Sequence, residues 1–449
     1  MGKELREVVI VDAVRTPVGR AAKGTLVNCR PDDLGALVVR ELVRRIGIDP
    51  SLIEDLIIGC AGTEAESGMN VARAVGLLAD LPVSVAAITI NRYCASGLTA
   101  IDQAATNIAF GAGDAIIAGG IESMSMIPTL KGGLNPARTI NTAMIEKARG
   151  KPAAFNMIQT AQYLYEAYGV TKEEMDKFAL DSHLKAIAAI DAGKFKNYII
   201  PVPLKKKIKS DGTISYEYVR IENLDDETCK KLYQVLKEGT QGVDAQSPKP
   251  IKDDLYLFDT DECPRRGTSL EKIAGLPPVV QPITDRSKEP VITAGNSSQV
   301  NDAAAAALLL SAEKAKELGI KPLAKFISFA VAGVEPYEMG IGPSKAIPKA
   351  LKRAGLKIED IDLVEINEAF ANVVLTNIKL LKEQGIDIPL EKVNVNGGGV
   401  SIGHPLGASG ARITADLLYE MKRRGSRYGL ASLCVGGGMG EAAIFELIK

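Results

Sequence analysis

The feature that most constrains this chain is an internal repeat. Residues 36–60 and 344–367 each follow the pattern of a helix, a glycine turn, an acidic loop and a short strand. A turn after Asn91 leads into a predicted helix at Gly97–Phe110 and then a strand. A turn after Asn396 leads likewise into a predicted helix at Gly410–Arg424 and then a strand. The two copies are separated by roughly 300 residues, which excludes a solenoid, whose units repeat every ~20–50 residues. The repeat predicts two similar halves.

Strand and helix patterns alternate within both halves. Short apolar runs occur early, as VVIVDAV, LIEDLIIGC and AIIAGG, and late, as LAKFISFAV, IDLVEIN and LASLCVGGG. This alternation predicts an α/β fold in which helices cover the sheets. We predict an N-terminal half at residues 1–280 and a C-terminal half at residues 281–449. The helices that follow Ser96 and His404 should pack the halves face to face.

A segment at about residues 123–275 has no counterpart in the second half and is predicted to be inserted into the first. It contains the loop KGGLNPARTIN and two helical patterns, and ends in a lysine-rich stretch at residues 206–252. We predict that this stretch forms a hairpin and a helix. Long insertions are often lids or assembly elements, but a tolerated surface insertion is the simpler interpretation.

Composition excludes several classes of protein. Lysine plus arginine (54) balances aspartate plus glutamate (55), and there is no tryptophan, which disfavours a nucleic-acid partner. No apolar run reaches the ~18–20 residues of a membrane span. The amino terminus is typical of a first strand and not of a secretion signal. The six cysteines are scattered without a C-x-x-C pair, which disfavours a metal site. These features predict a cytoplasmic protein.

Cys94, in the segment TINRYCASGLTAIDQAA, is the first candidate for chemistry. It lies at the start of a predicted helix, where free N–H groups and the helix dipole favour a thiolate. The small residues at positions 95–97 leave room for a substrate. A cysteine in such a turn is nevertheless structural more often than not, so Cys94 alone decides nothing.

His404 and Cys434 are the other two candidates. His404 lies in the glycine-rich segment NVNGGGVSIGHPLGASGAR, whereas the other histidine, His183, is in a helical pattern, where a surface or capping role is expected. Cys434 ends a predicted strand, before glycines whose N–H groups could bind a developing oxyanion. Each alone has a structural alternative. The repeat places the Cys94 and His404 turns at equivalent, facing positions, which suits acyl transfer to sulfur coupled to proton transfer at carbon.

With these residues identified, the chain resembles the thiolase family over nearly its whole length. The matching motifs, in the family's order, are NRYCASGL, GGIESMS, FDTDE-x-x-R-x-x-T-x-L, ITAGNSSQVNDAAAA, NEAFA, GHPLGASGAR and CVGGGMG. The resemblance implies a duplicated, five-layered αβαβα thiolase fold with two mixed sheets. It also implies a homo-oligomer, either a dimer or a tetramer.

The resemblance implies roles for eight residues. Cys94 would form an acyl-thioester, His404 would activate it, and Cys434 would exchange the α-carbon proton. Asn367 with His404, and the N–H groups of Cys94 and Gly436, would form two oxyanion holes. Ser298 and Arg265 would contact coenzyme A, and Met157 would line the acyl pocket. Acyl-CoA and CoA would be substrates, with no metal or other cofactor.

The motifs are more similar to degradative 3-ketoacyl-CoA thiolases, which act in β-oxidation, than to biosynthetic acetoacetyl-CoA thiolases, which remain the alternative. Two departures affect chain length and assembly: Ile158 replaces a common glycine, and the stretch at residues 206–252 is longer than usual. A β-ketoacyl synthase would need a second active-site histidine. A serine hydrolase is disfavoured because the segment at 407–411 lacks the last glycine of G-x-S-x-G. A non-catalytic acyl-CoA-binding scaffold is a more remote alternative.

Overall fold

The structure is a computed structural model, and it describes residues 5–127, 141, 143, 156–238, 248–252, 254–279 and 289–448. The predicted loop KGGLNPARTIN lies outside the described residues except for its last position. Strands and helices are numbered in chain order within these ranges.

The described strands belong to one large mixed sheet and one small antiparallel sheet. They are β1 (Val8–Arg15), β2 (Gly19–Arg20), β3 (Asp55–Gly59), β4 (Ala86–Ile90), β5 (Ala115–Ser123), β6 (Val202–Ile208), β7 (Ile214–Tyr218), β8 (Lys249–Lys252), β9 (Leu255–Phe258), β10 (Asn301–Ser311), β11 (Ala324–Gly333), β12 (Leu363–Ile366), β13 (Tyr428–Val435) and β14 (Met439–Leu447).

The helices come mainly from the segments between strands. They are α1 (Pro31–Ile46), α2 (Val71–Leu78), α3 (Ser96–Ala109), α4 (Met157–Tyr168), α5 (Lys172–Asp191), α6 (Asp226–Glu238), α7 (Leu270–Ala274), α8 (Ala312–Glu317), α9 (Gly342–Ala354), α10 (Ala371–Glu383) and α11 (Leu406–Arg424). Among the described residues, none of these helices has the length and apolar character needed to cross a membrane.

The large sheet consists of two half-sheets with related topology. The first runs β4–β3–β5–β10–β1 and the second β12–β13–β14–β11. In each, parallel strands are followed by one strand, β10 or β14, that is antiparallel to both neighbours. The half-sheets join where β1 pairs with β11 over two residue pairs, Val9–Lys325 and Ile10–Ala324. The two predicted mixed sheets are therefore connected by hydrogen bonds at one edge.

Three apolar clusters show how the layers stack. The first lies between the half-sheets and includes α3, α11 and the facing side chains of both sheets. The second packs α1 and α2 on the outer face of the first half-sheet, and the third packs α9 and α10 on the outer face of the second. The order helix, sheet, helix, sheet, helix confirms the five-layered α/β fold.

The predicted division at residues 280/281 separates β10 in sequence from the strands it contacts. Residues 301–311 pair with β1 over Val8–Arg15 and with β5 over residues 115–123. The last strand of the first half-sheet thus comes from beyond the inserted segment. The domain division itself stays a prediction.

The central helices α3 and α11 meet through glycines. A Cβ at Gly97 would lie 2.8 Å from the Ala411 nitrogen, and one at Gly410 would lie 2.2 Å from the Leu98 nitrogen. Helix α11 starts at Leu406, four residues before the predicted start at Gly410, so Gly410 is inside the helix and not at its end. The missing side chains let the two helices, and the turns that precede them, approach closely.

Gly410→Ala should therefore destabilise the fold strongly. An alanine would stabilise a free helix by ~1 kcal/mol, but here its Cβ overlaps backbone atoms of α3 that cannot rotate away. We expect the free energy of unfolding in denaturant to fall by about 3 kcal/mol, the upper end of the usual cost of overpacking. Gly333→Ala is the control, because its Cβ would meet nothing within 4 Å. Equal stability of the two variants would contradict this packing.

The lysine-rich stretch folds as predicted, with a hairpin of β6 and β7 followed by α6. Strands β8 and β9 complete a four-stranded antiparallel sheet in the order β7–β6–β9–β8. This small sheet rests beside α1: Arg220 pairs with Asp33 at 3.0 Å, and the Asn28 amide donates to the Tyr216 carbonyl at 3.2 Å.

Candidate active site

Cys94 lies in a tight turn between β4 and α3. Residues Tyr93–Ala95 form one 3-10 turn, and Tyr93 has a positive φ of 44°, which is uncommon outside glycine. The turn is fixed by Ser96, whose hydroxyl accepts from the Arg92 N–H at 2.8 Å and donates to the Tyr93 carbonyl at 2.7 Å. The sequence places the cysteine at a helix start, and the structure does the same.

The surroundings of Cys94 favour the thiol and not the thiolate. Burial raises the pKa of Cys94 to about 11, the Gly436 N–H lowers it, and the nearby Glu122 raises it further. The expectation of a thiolate stabilised by the helix start is wrong for the isolated site, because desolvation outweighs the N–H groups. The sulfur therefore needs a base to become a nucleophile.

His404 is buried and oriented on both ring nitrogens. Its Nδ1 lies 2.6 Å from the Ser409 hydroxyl, which itself donates to the Pro405 carbonyl at 2.9 Å. Ser409 must then accept from Nδ1–H, which assigns the proton to Nδ1 and leaves Nε2 as an acceptor. The Asn367 amide, 3.2 Å away, donates to Nε2. Burial, followed by the charge of Arg412, lowers the pKa of His404 to about 3, so the ring is neutral.

The backbone around His404 is held by β10 of the first half-sheet. The His404 N–H donates to the Asn301 side-chain oxygen at 2.7 Å. Gly403 has a φ of 122°, and a Cβ there would lie 2.5 Å from the same Asn301 oxygen. Only glycine therefore lets β10 and the histidine loop approach this closely.

Cys434 is fully buried near the end of β13, paired with Gly440 of β14. Burial raises the pKa of Cys434, and the neighbouring Cys94 sulfur raises it further. The glycine turn follows directly, with positive φ at Gly437 and Gly438. The two sulfurs are thus close enough to interact, and both are protonated at neutral pH.

The structure brings five of the predicted residues together. Cys94 contacts the Gly436 N–H and lies beside Cys434. Asn367 contacts His404 and directly follows β12. The last residue of β12 pairs with Ser432 on β13, the strand that carries Cys434. The two turns also face each other: a Cβ at Gly97 would lie 2.8 Å from the Gly407 carbonyl. The predicted juxtaposition of the two halves is confirmed, and the roles of the residues stay predictions.

The three predicted substrate contacts have different surroundings. Met157 packs against the apolar cluster that contains Cys434, and its sulfur would lie 3.8 Å from a Cβ on Gly436. Ser298 is half-buried and donates its N–H to the Ala369 carbonyl at 3.0 Å. Arg265 lines a cavity of about 600 Å³ with other cationic side chains. They are Arg20, Lys23, Arg266 and Lys272.

His183 is not at the surface, contrary to its prediction from the helical pattern. It is buried in α5, and its Nδ1 accepts from the Arg265 N–H at 3.2 Å. Burial, followed by the Arg265 charge, lowers the pKa of His183 to about 4. The histidine is a neutral support for the arginine segment. Helical spacing alone did not show that the Arg265 loop covers this face of α5.

Three supporting residues were missed from sequence. Ser409 and Asn301 orient His404, and Glu368 accepts from Ser182, Asn394 and the Val400 N–H, which holds the loop before His404. Glu368 follows Asn367 directly in the motif NEAFA, so its position was a usable signal. Asn301 lies in the motif ITAGNSSQVNDAAAA, but no local pattern indicates its contact with His404, which spans 103 residues.

Comparison with known proteins identifies the family of this fold and site. The family models for the thiolase N-terminal domain, at residues 8–253 and 244–313, and the thiolase C-terminal domain, at residues 320–447, match nearly the whole chain. The chain belongs to the thiolase family. Within that family's chemistry it is an acyltransferase.

Relatives carry two different names. A 3-ketoacyl-CoA thiolase of Bacillus subtilis is 45% identical over 99% of this chain and 100% of its own length. An acetyl-CoA acetyltransferase of Syntrophomonas wolfei is 42% identical over 99% and 100%. The crystal structure of the Bacillus anthracis acetyl-CoA acetyltransferase superposes with a TM-score of 0.80 at 37% identity, covering both chains completely.

Proposed function

We propose that this chain cleaves 3-ketoacyl-CoA with coenzyme A to give acetyl-CoA and an acyl-CoA shortened by two carbons. Two observations carry the proposal. His404 is neutral and oriented by Ser409 and Asn367, and Cys94 and Cys434 are neighbouring protonated thiols, the first of them reached by the Gly436 N–H. Thiolate attack and proton transfer change no oxidation state, so the proposal uses no metal or redox cofactor.

The reaction proceeds in two halves. His404 takes the proton of Cys94, and the thiolate attacks the 3-keto carbon of the substrate. The bond between C2 and C3 breaks, Cys434 protonates the departing enolate, and acetyl-CoA leaves. The thiol of a second coenzyme A loses its proton within the site and attacks the acyl-Cys94 carbonyl. The shortened acyl-CoA leaves, and Cys94 and Cys434 recover their protons.

Two sets of donors would stabilise the negative oxygens that form. The N–H groups of Cys94 and Gly436 would line the first oxyanion site, since the Gly436 N–H already reaches the Cys94 sulfur. Asn367, through a water that it would hold, and His404, once its Nε2 carries the proton taken from Cys94, would line the second. Oδ1 of Asn367 is buried and receives no hydrogen bond from the described residues, which leaves it free to accept from such a water.

Asn367→Ala should lower kcat for thiolysis by about a hundred- to a thousandfold, the usual cost of losing one oxyanion donor. The thermal midpoint should change little in comparison, because the Asn367 backbone bond to Ser432 remains. Asn28→Ala, at an exposed asparagine whose amide donates to the Tyr216 carbonyl, is the control and should keep full activity. The measurement is kcat for thiolysis at steady state. An Asn367→Ala enzyme as fast as the control would contradict the second oxyanion site.

The degradative direction is our first choice, and acetyl transfer between two acetyl-CoA molecules is the alternative. The motif matches favour the first, whereas relatives bear both kinds of name. Thiolysis rates for 3-ketoacyl-CoA of increasing chain length, set against condensation of acetyl-CoA, test the choice. Turnover of acetoacetyl-CoA alone would support the biosynthetic alternative. An absence of any acyl adduct would leave only the non-catalytic scaffold.

Ile158 is expected to set chain length. It lies in the first turn of α4 and packs, with Met157, against the apolar cluster that includes Cys434. A glycine there would enlarge the acyl pocket. Ile158→Gly should therefore raise the ratio of medium-chain to short-chain kcat/KM by about tenfold, the discrimination expected when a pocket gains room for one or two methylene groups of the substrate. Ile158→Val should give an intermediate ratio. A wild-type enzyme that prefers long chains would contradict this role.

The substrate-binding part of the proposal uses Arg265 and Ser298. The cavity lined by Arg265 carries five cationic side chains against Glu262, which suits the phosphates of coenzyme A. Ser298, whose N–H donates to the Ala369 carbonyl, would contact the pantetheine arm. Met157, which packs against the cluster that contains Cys434, would contact the acyl chain.

A homo-oligomer and a cytoplasmic location complete the proposal. Strand β4 is an edge strand with exposed apolar side chains beside it: Ile88 is 42% exposed, Val83 80% and Met69 99%. Unpaired edges of this kind are usually covered by another chain. Sedimentation velocity should show a dimer or tetramer, and a stable monomer would contradict this part.

A further inference from the structure

Two carboxyl groups are buried together beneath the turn that carries Cys94. Asp102 on α3 is 2% exposed, and Glu441 on β14 is fully buried. Within the described part of the chain, no N–H or O–H group donates to either oxygen of Asp102 or to Oε1 of Glu441. Buried carboxylates without donors are costly, so this arrangement needs a physical explanation.

The other oxygen of Glu441 connects β14 to the Cys94 turn. Its Oε2 accepts from the Thr99 hydroxyl at 2.6 Å and lies 3.2 Å from Arg92 Nη1. Arg92 also donates to the Thr99 hydroxyl at 3.1 Å. Arg92 precedes the nucleophile by two residues, so Glu441 ties the turn and the first turn of α3 to the strand beside Cys434.

One positive charge faces two acids here. The charged groups that act on Asp102 are Glu441 from β14 and Arg92 from the turn. Burial, followed by Glu441, raises the pKa of Asp102 well above its usual range. The side chain of Asp102 lies within hydrogen-bonding reach of Glu441, and two carboxyl groups can form such a bond only if one of them keeps its proton.

We propose that Asp102 and Glu441 are positioning residues for Cys94: they share one proton, and the single remaining charge on Glu441 holds Arg92 and the nucleophile turn in place. The inference rests on the proposed role of Cys94 as nucleophile. When both groups ionise, the second buried charge separates them, and the contact between Glu441 and Arg92 loses its fixed geometry.

The shared proton makes stability depend on pH in a defined direction. In the unfolded chain both acids ionise at about pH 4. The folded chain keeps one more proton above that value, so this pair makes folding less favourable as pH rises, until the folded pair itself ionises. A difference of one proton changes the folding equilibrium constant about tenfold per pH unit.

Asp102→Asn tests the proton directly in the full-length protein. The Asn amide can donate to Glu441 at every pH, so the variant should lose this one-proton dependence. The folding equilibrium constant is measured by denaturant unfolding between neutral and alkaline pH. For each pH unit, the wild-type constant should fall by a factor about ten times larger than that of the variant. Asp181→Asn, at an exposed position on α5, should keep the wild-type slope. A wild-type slope in Asp102→Asn would overturn the shared proton.

Glu441→Gln tests the positioning role. Arg92 would lose its charged partner, so the rate of iodoacetamide alkylation of Cys94 should change and kcat should fall by about tenfold or more, with KM little changed, as expected for a misplaced nucleophile. Asp181→Asn, the exposed control, should keep both near wild type. Wild-type alkylation and kcat in Glu441→Gln would overturn the proposal. If the wild type shows no thiolysis, the proposed function fails. The pH dependence of unfolding and the alkylation rate of Cys94 still test whether Asp102 and Glu441 share a proton and position the turn.

Discussion

Cys94→Ser should eliminate the acyl-enzyme and reduce thiolysis by at least ~10⁴-fold, since binding and oxyanion donors alone would then remain. The reason lies in the site's acid–base balance. His404 is neutral and can accept a proton, and a thiol gives up its proton far more readily than a serine hydroxyl does. Mass spectrometry after mixing with acetyl-CoA should show one acetyl adduct on the wild-type chain and none on the variant.

The matched control for this experiment is Cys229→Ser. Cys229 is a half-buried cysteine of the inserted segment whose sulfur donates to the carbonyls of Ile221 and Leu224. It should keep both the adduct and full activity. An adduct that persists at another residue in Cys94→Ser would remove Cys94 from the mechanism, and the non-catalytic scaffold would predict no adduct in any variant.

Cys434→Ala should separate the two halves of the reaction. The variant keeps Cys94 and His404, so it should still form the acetyl adduct from acetyl-CoA. Cleavage of 3-ketoacyl-CoA requires protonation of the enolate, and loss of a general acid costs typically ~10²–10⁴-fold. Thiolysis should fall by that factor while single-turnover acylation stays within about tenfold, because acylation needs proton transfer to sulfur and not to carbon.

Cys60→Ala controls for the removal of a buried sulfur. Cys60 is as buried as Cys434 but follows β3, where its sulfur contacts the Gly62 carbonyl. Both variants should lose a similar amount of stability, whereas only Cys434→Ala should lose carbon–carbon cleavage. Hydrogen–deuterium exchange at the α-carbon of acetyl-CoA gives an independent readout. Exchange at the wild-type rate in Cys434→Ala would assign the proton transfer to another group.

Local patterns determined the fold class, the two related halves and the turns that carry Cys94 and His404. Strand and helix periods, glycine turns and motif order are all encoded by neighbouring residues, and each half repeats them. The hairpin and helix of residues 206–252 followed from the same signals. The predicted start of α11 at Gly410 is wrong. The helix begins at Leu406, and Gly410 is a position inside it that packs against α3.

Only the tertiary structure decided the ionisation and the orientation of the catalytic groups. The pKa of Cys94 depends on burial and on the N–H of Gly436, which lies far along the chain. The orientation of His404 depends on Asn367 and Ser409, the burial of His183 on the Arg265 loop, and the charge of Asp102 on Glu441. These properties arise from desolvation and from contacts between distant segments, neither of which a local pattern of residues contains.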